Sequence, residues 1–185
     1  MKALARSPVI IALGLFLHAT LPAGAMNLHP GDTAPEFSLP DIDGKNITLS
    51  YYRGKTVLLV FWSTWCSRCS EELVFLRDNF GHHEDVPVLL INQDAEKMAS
   101  RKRIVEMRDR LSLPFPIIMD TGLELWGLFG ISALPTSVVI GKDGRIVHAE
   151  ANFYRETPEK LLKAVSADSS CLRCNEPLII QYLTD

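Results

Sequence analysis

Four cysteines fall in two pairs of the same spacing, Cys66-Ser67-Arg68-Cys69 and Cys171-Leu172-Arg173-Cys174, about a hundred residues apart. One such pair can cycle between dithiol and disulfide. Two can form a relay, a four-cysteine zinc site, or a redox centre with a bystander. The first pair has an informative context. Thr56 to Trp62 (TVLLVFW) is a continuous apolar, β-branched run, as expected of a strand buried on both faces. From Cys66 onward Leu73, Leu76 and Phe80 recur at helical spacing, with Glu71 and Glu72 expected in the first turn, where they suit the helix dipole. Cys66 thus stands where a buried strand hands over to a helix. Backbone N–H groups there stabilise a thiolate, and Arg68 adds positive charge nearby. Cys69, one turn on, is placed to resolve a mixed disulfide formed at Cys66, which completes an exchange cycle.

The remaining elements must position that centre. The segments EFSL and NITL, separated by the turn-forming DIDGK, read as a β-hairpin, and YYRGK as a further turn. Val86 to Ile91 is a second buried strand, and DAEKMASRKRIVEMRDRLSL reads as a helix. LPFPIIMD is an extended piece limited by its two prolines, and GLELWGLFG a short helix. PTSVVIGKDGRIVHAEA reads as strand, Asp143-Gly144 turn, strand. A last helix opens with Thr157 as candidate N-cap and Pro158 at its first position. Strands alternating with helices and ending in an antiparallel hairpin predict an α/β fold, a central mixed sheet with helices on both faces.

The chain has 185 residues, 47% hydrophobic and 22% charged, which suits one globular domain. Its first 25 residues carry Lys2 and Arg6, an apolar run from Val9 to Leu17 and a small-residue site, Ala23 to Ala25. That is the layout of a secretory signal peptide cleaved after Ala25, an uncleaved anchor being the alternative. Three segments result: 1–25 the signal, 26–166 the domain, and 167–185 a tail with the second cysteine pair. Loss of Lys2 and Arg6 takes the formal charge from −3 to −5, which gives no reason to expect nucleic acid.

FWSTWCSRC together with GISALPTSVVIGKDGRIV resembles the thioredoxin superfamily, and the opening GDTAPEFSLPDIDGKNITLSYYRGKTVLLVFW resembles its exported ResA- and TlpA-like branch. The likeness spans about Pro30 to Val165. It implies a thioredoxin-like fold with an N-terminal β-hairpin, and a thiol–disulfide oxidoreductase of the periplasm that needs no cofactor. It also implies protein disulfides as substrates, apocytochrome c among them, and a membrane thiol electron donor. Cys66 would be the attacking thiol and Cys69 the buried resolving one. Pro135 would be a cis-proline beside them, with Leu134 pairing to a substrate strand and Trp65 lining the contact surface. Glu72 matches an acidic residue thought to assist proton transfer, its other reading being a helix-dipole glutamate. The sequence also departs from thioredoxin. Val60 stands where a buried aspartate would be, and Ser67-Arg68 replaces the proline-containing dipeptide, so the redox direction is not inherited.

Other chemistries fit poorly. A peroxidatic cysteine would want Thr and Pro where Ser63 and Leu59 stand, and haem attachment would want His where Ser70 and Asn175 stand. His82-His83 reads as a solvated loop rather than a metal site, and Trp126 and Phe129 as core. A disulfide-donating oxidase of the same fold and a non-enzymatic metal- or partner-binding module remain the alternatives. For Cys171 and Cys174 a structural or idle disulfide is preferred over an accessory redox pair, because no predicted helix start supports Cys171.

Overall fold

The computed structural model describes residues 28–82, 84–94 and 98–168. The expected signal peptide and the tail with Cys171 and Cys174 lie outside these residues. A two-stranded hairpin, β1 (Ser38–Pro40) and β2 (Asn46–Thr48), leads through a 3-10 turn at Leu49–Tyr52 into β3 (Val57–Trp62). Then come α1 (Ser67–Phe80), β4 (Val88–Asn92), α2 (Met98–Leu111), β5 (Ile117–Met119) and α3 (Glu124–Leu128). The hairpin β6 (Thr136–Ile140) and β7 (Ile146–Ala151) and the helix α4 (Thr157–Asp168) complete the described fold. The main sheet has the order β5-β4-β3-β6-β7, with β3, β4 and β5 parallel and β6 and β7 antiparallel.

The central position of β3 follows from its sequence. Its six residues are all buried, and period-two alternation divides them between two cores. Leu58, Val60 and Trp62 face Leu73, Leu76 and Phe80 of α1, Ile104 and Met107 of α2, and Leu161 and Val165 of α4. Leu59 and Phe61 face Leu125 of α3 and Phe129 just after it, together with Phe37 and Ile47 beside and within the first hairpin. The chirality of crossovers explains the division. The chain steps from β3 to β4 to β5 in one direction across the sheet, so right-handed crossovers put α1 and α2 on the same face. The return to β6 lays α3 on the other.

Three expectations shift. The proline-limited piece is a strand: Ile117 to Met119 pair with Leu90 to Asn92 at the sheet edge, and the Pro116 carbonyl accepts from Leu90 N–H at 3.1 Å. Both prolines precede Ile117, the first residue of β5, so neither takes a donor out of the strand itself. Helix α1 begins at Ser67, so Glu71 and Glu72 lie beyond its first turn, which holds no acidic residue. Finally, α4 runs to Asp168, past the expected boundary at 166. The Asp168 carboxylate accepts from Thr56 Oγ1 (2.8 Å) and Lys142 N–H (2.9 Å), tying the helix end to the start of β3.

The β6–β7 turn depends on Gly144, at φ 80°. The Arg53 guanidinium, which donates to the Asp143 carbonyl at 3.0 Å, packs where a β-carbon would stand. Gly144→Ala is expected to lower the unfolding free energy by about 1–2 kcal/mol, from the left-handed backbone and displacement of Arg53. Urea denaturation would measure this.

Candidate active site

Helix α1 starts from a sulfur cap. Cys66 is its N-cap residue in extended conformation (φ −91°, ψ 109°), and its Sγ accepts the Cys69 N–H at 3.2 Å. Serine and aspartate usually satisfy such orphan helix donors; here the reactive atom does so itself. Cys66 and Cys69 are joined in a disulfide with Cα atoms 5.3 Å apart. Cys69 is fully buried and Cys66 partly exposed, so an approaching group meets the Cys66 sulfur first. Trp65 beside it is 73% exposed. The turn from β3 into α1 is held by the buried Asp94, whose carboxylate accepts from Thr64 N–H (3.1 Å) and Thr64 Oγ1 (2.7 Å).

Register brings the second component alongside. Phe61 pairs with Thr136, so the residues before β6 lie at the end of the sheet from which β3 delivers Cys66. The Leu134–Pro135 bond is cis. Thr136 Oγ1 donates to the Ala133 carbonyl at 2.8 Å, and the Pro135 carbonyl accepts from Asn152 N–H at 2.6 Å. The turn after β7 is in turn fastened to the cysteine helix: Arg68 Nη1 donates to the Phe153 carbonyl at 3.0 Å, and its guanidinium lies 5.2 Å from the Tyr154 ring centre. A cavity of about 650 Å³, lined by Arg68, Val74, Phe153, Tyr154 and Pro158, opens beside this contact. Cysteine helix, cis-proline loop and β7–α4 turn thus form one connected surface around the disulfide.

Glu72 lies underneath it. The side chain is 1% exposed, one turn after Cys69, and Ser137 Oγ donates to its Oε1 at 2.6 Å. Oε2 is buried with no hydrogen-bond partner among the described residues. Burial pushes the carboxyl up to about 7 from an ordinary value near 4.5, and the Ser137 hydrogen bond offsets part of the rise. Its position does not fit the helix-dipole reading, which needs a solvated glutamate in the first turn. Ser137 pairs directly with Val60. The strand that lacks a carboxylate at Val60 therefore neighbours one delivered from α1.

The fold thus gathers Cys66, Cys69, Trp65, Leu134, Pro135 and Glu72 at one end of the sheet, while Cys171 and Cys174 lie outside the described residues. Sequence reasoning missed Ser137, Asn152, Phe153 and Asp94. A signal for Ser137 existed: a helix glutamate directed at a sheet needs a donor there, and LPTS supplies one two residues after the proline. Phe129 is core, its ring 5.6 Å from that of Phe61.

Residues 30–149, which include both cysteines and the cis-proline, match the AhpC/TSA family. The chain belongs to that family. Among similar proteins, the thiol-disulfide oxidoreductase ResA of Bacillus thuringiensis (strain Al Hakam) is 32% identical over 150 residues, 81% of this chain and 84% of that protein. ResA of Bacillus subtilis (strain 168) is 31% identical over 141 residues, 75% of this chain and 76% of that protein. Among solved structures, one assigned as thiol:disulfide interchange protein DsbE from Chlorobium tepidum superposes with a TM-score of 0.69 at 25% identity, over 77% of this chain and 99% of that one. Within the AhpC/TSA family this chain has its cysteines one helical turn apart, as a dithiol centre requires. Its Leu59 and Ser63 are both buried in β3 and the turn that follows.

Proposed function

We propose that the protein is an exported thiol–disulfide oxidoreductase that reduces disulfides of other proteins through Cys66 and Cys69. One observation carries this reading: a strand-to-helix Cys66–Cys69 disulfide, open at Cys66 and buried at Cys69, beside a cis Leu134–Pro135 bond. In the reduced protein the Cys66 thiolate, stabilised by the N–H groups of the first helical turn, attacks a client disulfide. One client sulfur leaves as thiolate, and a Cys66–client disulfide remains. Cys69 gives up its proton, with Glu72 as acceptor, and attacks Cys66 Sγ. The Cys66–Cys69 bond forms, and the second client sulfur departs with the electron pair. Two electrons have passed to the client. A donor dithiol, membrane-bound in this reading, restores the starting state by the same exchange in reverse.

Trp65 and the backbone of Leu134 would receive the client segment, and Pro135 holds that backbone in place. The ResA names of relatives support protein disulfides as the substrate class. Export rests on the Lys2 to Ala25 signal pattern, which sets the start of the domain at residue 26, with its other limit at the end of α4, Asp168, and a tail after it. For Cys171 and Cys174, which lie outside the described residues, a structural or idle disulfide stays the preferred reading over an accessory redox pair. Apocytochrome c is a client by family resemblance.

The reduction potential of the Cys66–Cys69 couple tests the direction. Equilibration against glutathione or dithiothreitol buffers is expected to give a strongly reducing value, toward the roughly −270 mV of thioredoxin. A value near about −120 mV would instead make the protein a disulfide donor.

A further inference from the structure

Ser137 is 1% exposed and sits second in β6, between Val60 of β3 and Glu150 of β7. Its hydroxyl is 2.6 Å from Glu72 Oε1. The preceding residue points to the other face of the strand, where Thr136 Oγ1 fastens the Ala133 carbonyl of the cis-proline loop. Two consecutive hydroxyls at the start of β6 therefore hold the two parts of the site that do not come from the cysteine helix itself.

We propose that Ser137 is a positioning residue for disulfide exchange, holding Glu72 by Oε1 so that Oε2 is the atom that takes and returns the Cys69 proton. This rests on the reading of Glu72 as proton acceptor given above. The donor inventory leads to Oε2. A serine has one hydroxyl hydrogen, and while that hydrogen points at Oε1 a proton bound by the carboxyl belongs on the other oxygen. Oε2 is buried and has no competing partner among the described residues. In the resolving step the Cys69 S–H bond breaks and an O–H bond forms at Oε2. The Cys69 electron pair then makes the bond to Cys66 Sγ, and the Cys66–client bond breaks with its pair leaving on the client sulfur.

The charged groups on neighbouring elements are engaged elsewhere. Glu150 of β7, beside Ser137, binds Lys160 of α4 at 2.7 Å and lies 3.6 Å from His148. β3 presents the uncharged Val60 and Trp62 on this face. On α1 itself the adjacent Glu71 is exposed, and Cys69, one turn earlier, is bonded to Cys66. Ser137 is thus the direct polar contact of Glu72.

The test uses the full chain with Ser137→Ala, Ser137→Thr and Glu72→Gln, reading the Glu72 carboxyl by 13C chemical shift and the rate of mixed-disulfide resolution against pH. Removing a hydrogen bond that favours the ionised form raises the carboxyl further. The Ser137→Ala inflection is expected to move upward by about one pH unit, with resolution roughly fivefold slower at pH 7. Ser137→Thr keeps the hydroxyl and should stay close to wild type. A loss of packing alone would not move the inflection or be rescued by threonine. Should Ser137→Ala fail to fold, Ser137→Val against Ser137→Thr makes the same comparison at equal volume. An unmoved inflection and an unchanged rate in the hydroxyl-free variant would overturn the proposal. If Glu72→Gln keeps the wild-type rate profile, it is the Glu72 reading that fails, and the placement of the proton at Oε2 fails with it.

Discussion

Cys66→Ser is expected to reduce disulfide exchange to the uncatalysed background, whereas Cys69→Ser should accumulate covalent adducts with client proteins. The difference follows from exposure. Cys66 is the sulfur that a client disulfide can meet, and Cys69 is fully enclosed at the second position of the motif. Without Cys66 no bond to the client forms. Without Cys69 the bond forms and no other cysteine among the described residues can resolve it, because a serine oxygen does not displace a thiolate under these conditions. Non-reducing electrophoresis followed by mass analysis would show the adduct in Cys69→Ser and its absence in Cys66→Ser. Adducts on Cys69 rather than Cys66, or a Cys69→Ser variant that turns over as fast as wild type, would refute the assignment of the two roles.

Glu72→Gln should separate stability from activity. The carboxyl binds its proton more tightly in the folded chain, near 7, than in the unfolded one, near 4.5. Between these values the folded state holds more protons than the unfolded state, so stability falls as pH rises through that window and is level above it. The full effect is about 3 kcal/mol for a group this deeply buried. Glutamine cannot ionise, so the variant should lose this fall. At pH 8 it should exceed wild type by about 1–3 kcal/mol, the lower end allowing for a buried amide N–H₂ where Oε2 had no partner. Resolution of the mixed disulfide should slow and lose its inflection near 7. Urea midpoints at pH 5 and pH 8 in both proteins would check the first part. Equal pH dependence in the two would show that Glu72 does not titrate as described.

These two substitutions act on residues of different legibility. The cysteines were readable because their chemistry is local. A continuous apolar strand, a Cys-x-x-Cys pair and a helical repeat follow one another within 25 residues, Thr56 to Phe80. The strand β5 was less readable. Pro114 and Pro116 look like strand breakers, but both precede β5, and Pro116 still offers its carbonyl to Leu90 N–H. The start of α1 at Cys66 was readable, but Glu71 and Glu72 fall at the fifth and sixth helical positions, past the first turn in which they were expected.

By itself, then, the amino-acid order determined the α/β class, the buried central strand, the dithiol motif at a helix start and the turn at Asp143-Gly144, all set by neighbours along the chain. Tertiary structure alone decided what Glu72 is. Its sequence position allows a solvated helix glutamate; packing of α1 on β3 and β6 buries it, and the pairing of Val60 with Ser137 supplies its hydrogen bond. The same holds for the tie from Arg68 to Phe153, 85 residues apart in the chain. Desolvation depends on what surrounds a side chain in space, and the groups surrounding Glu72 come from segments that only the sheet order brings together.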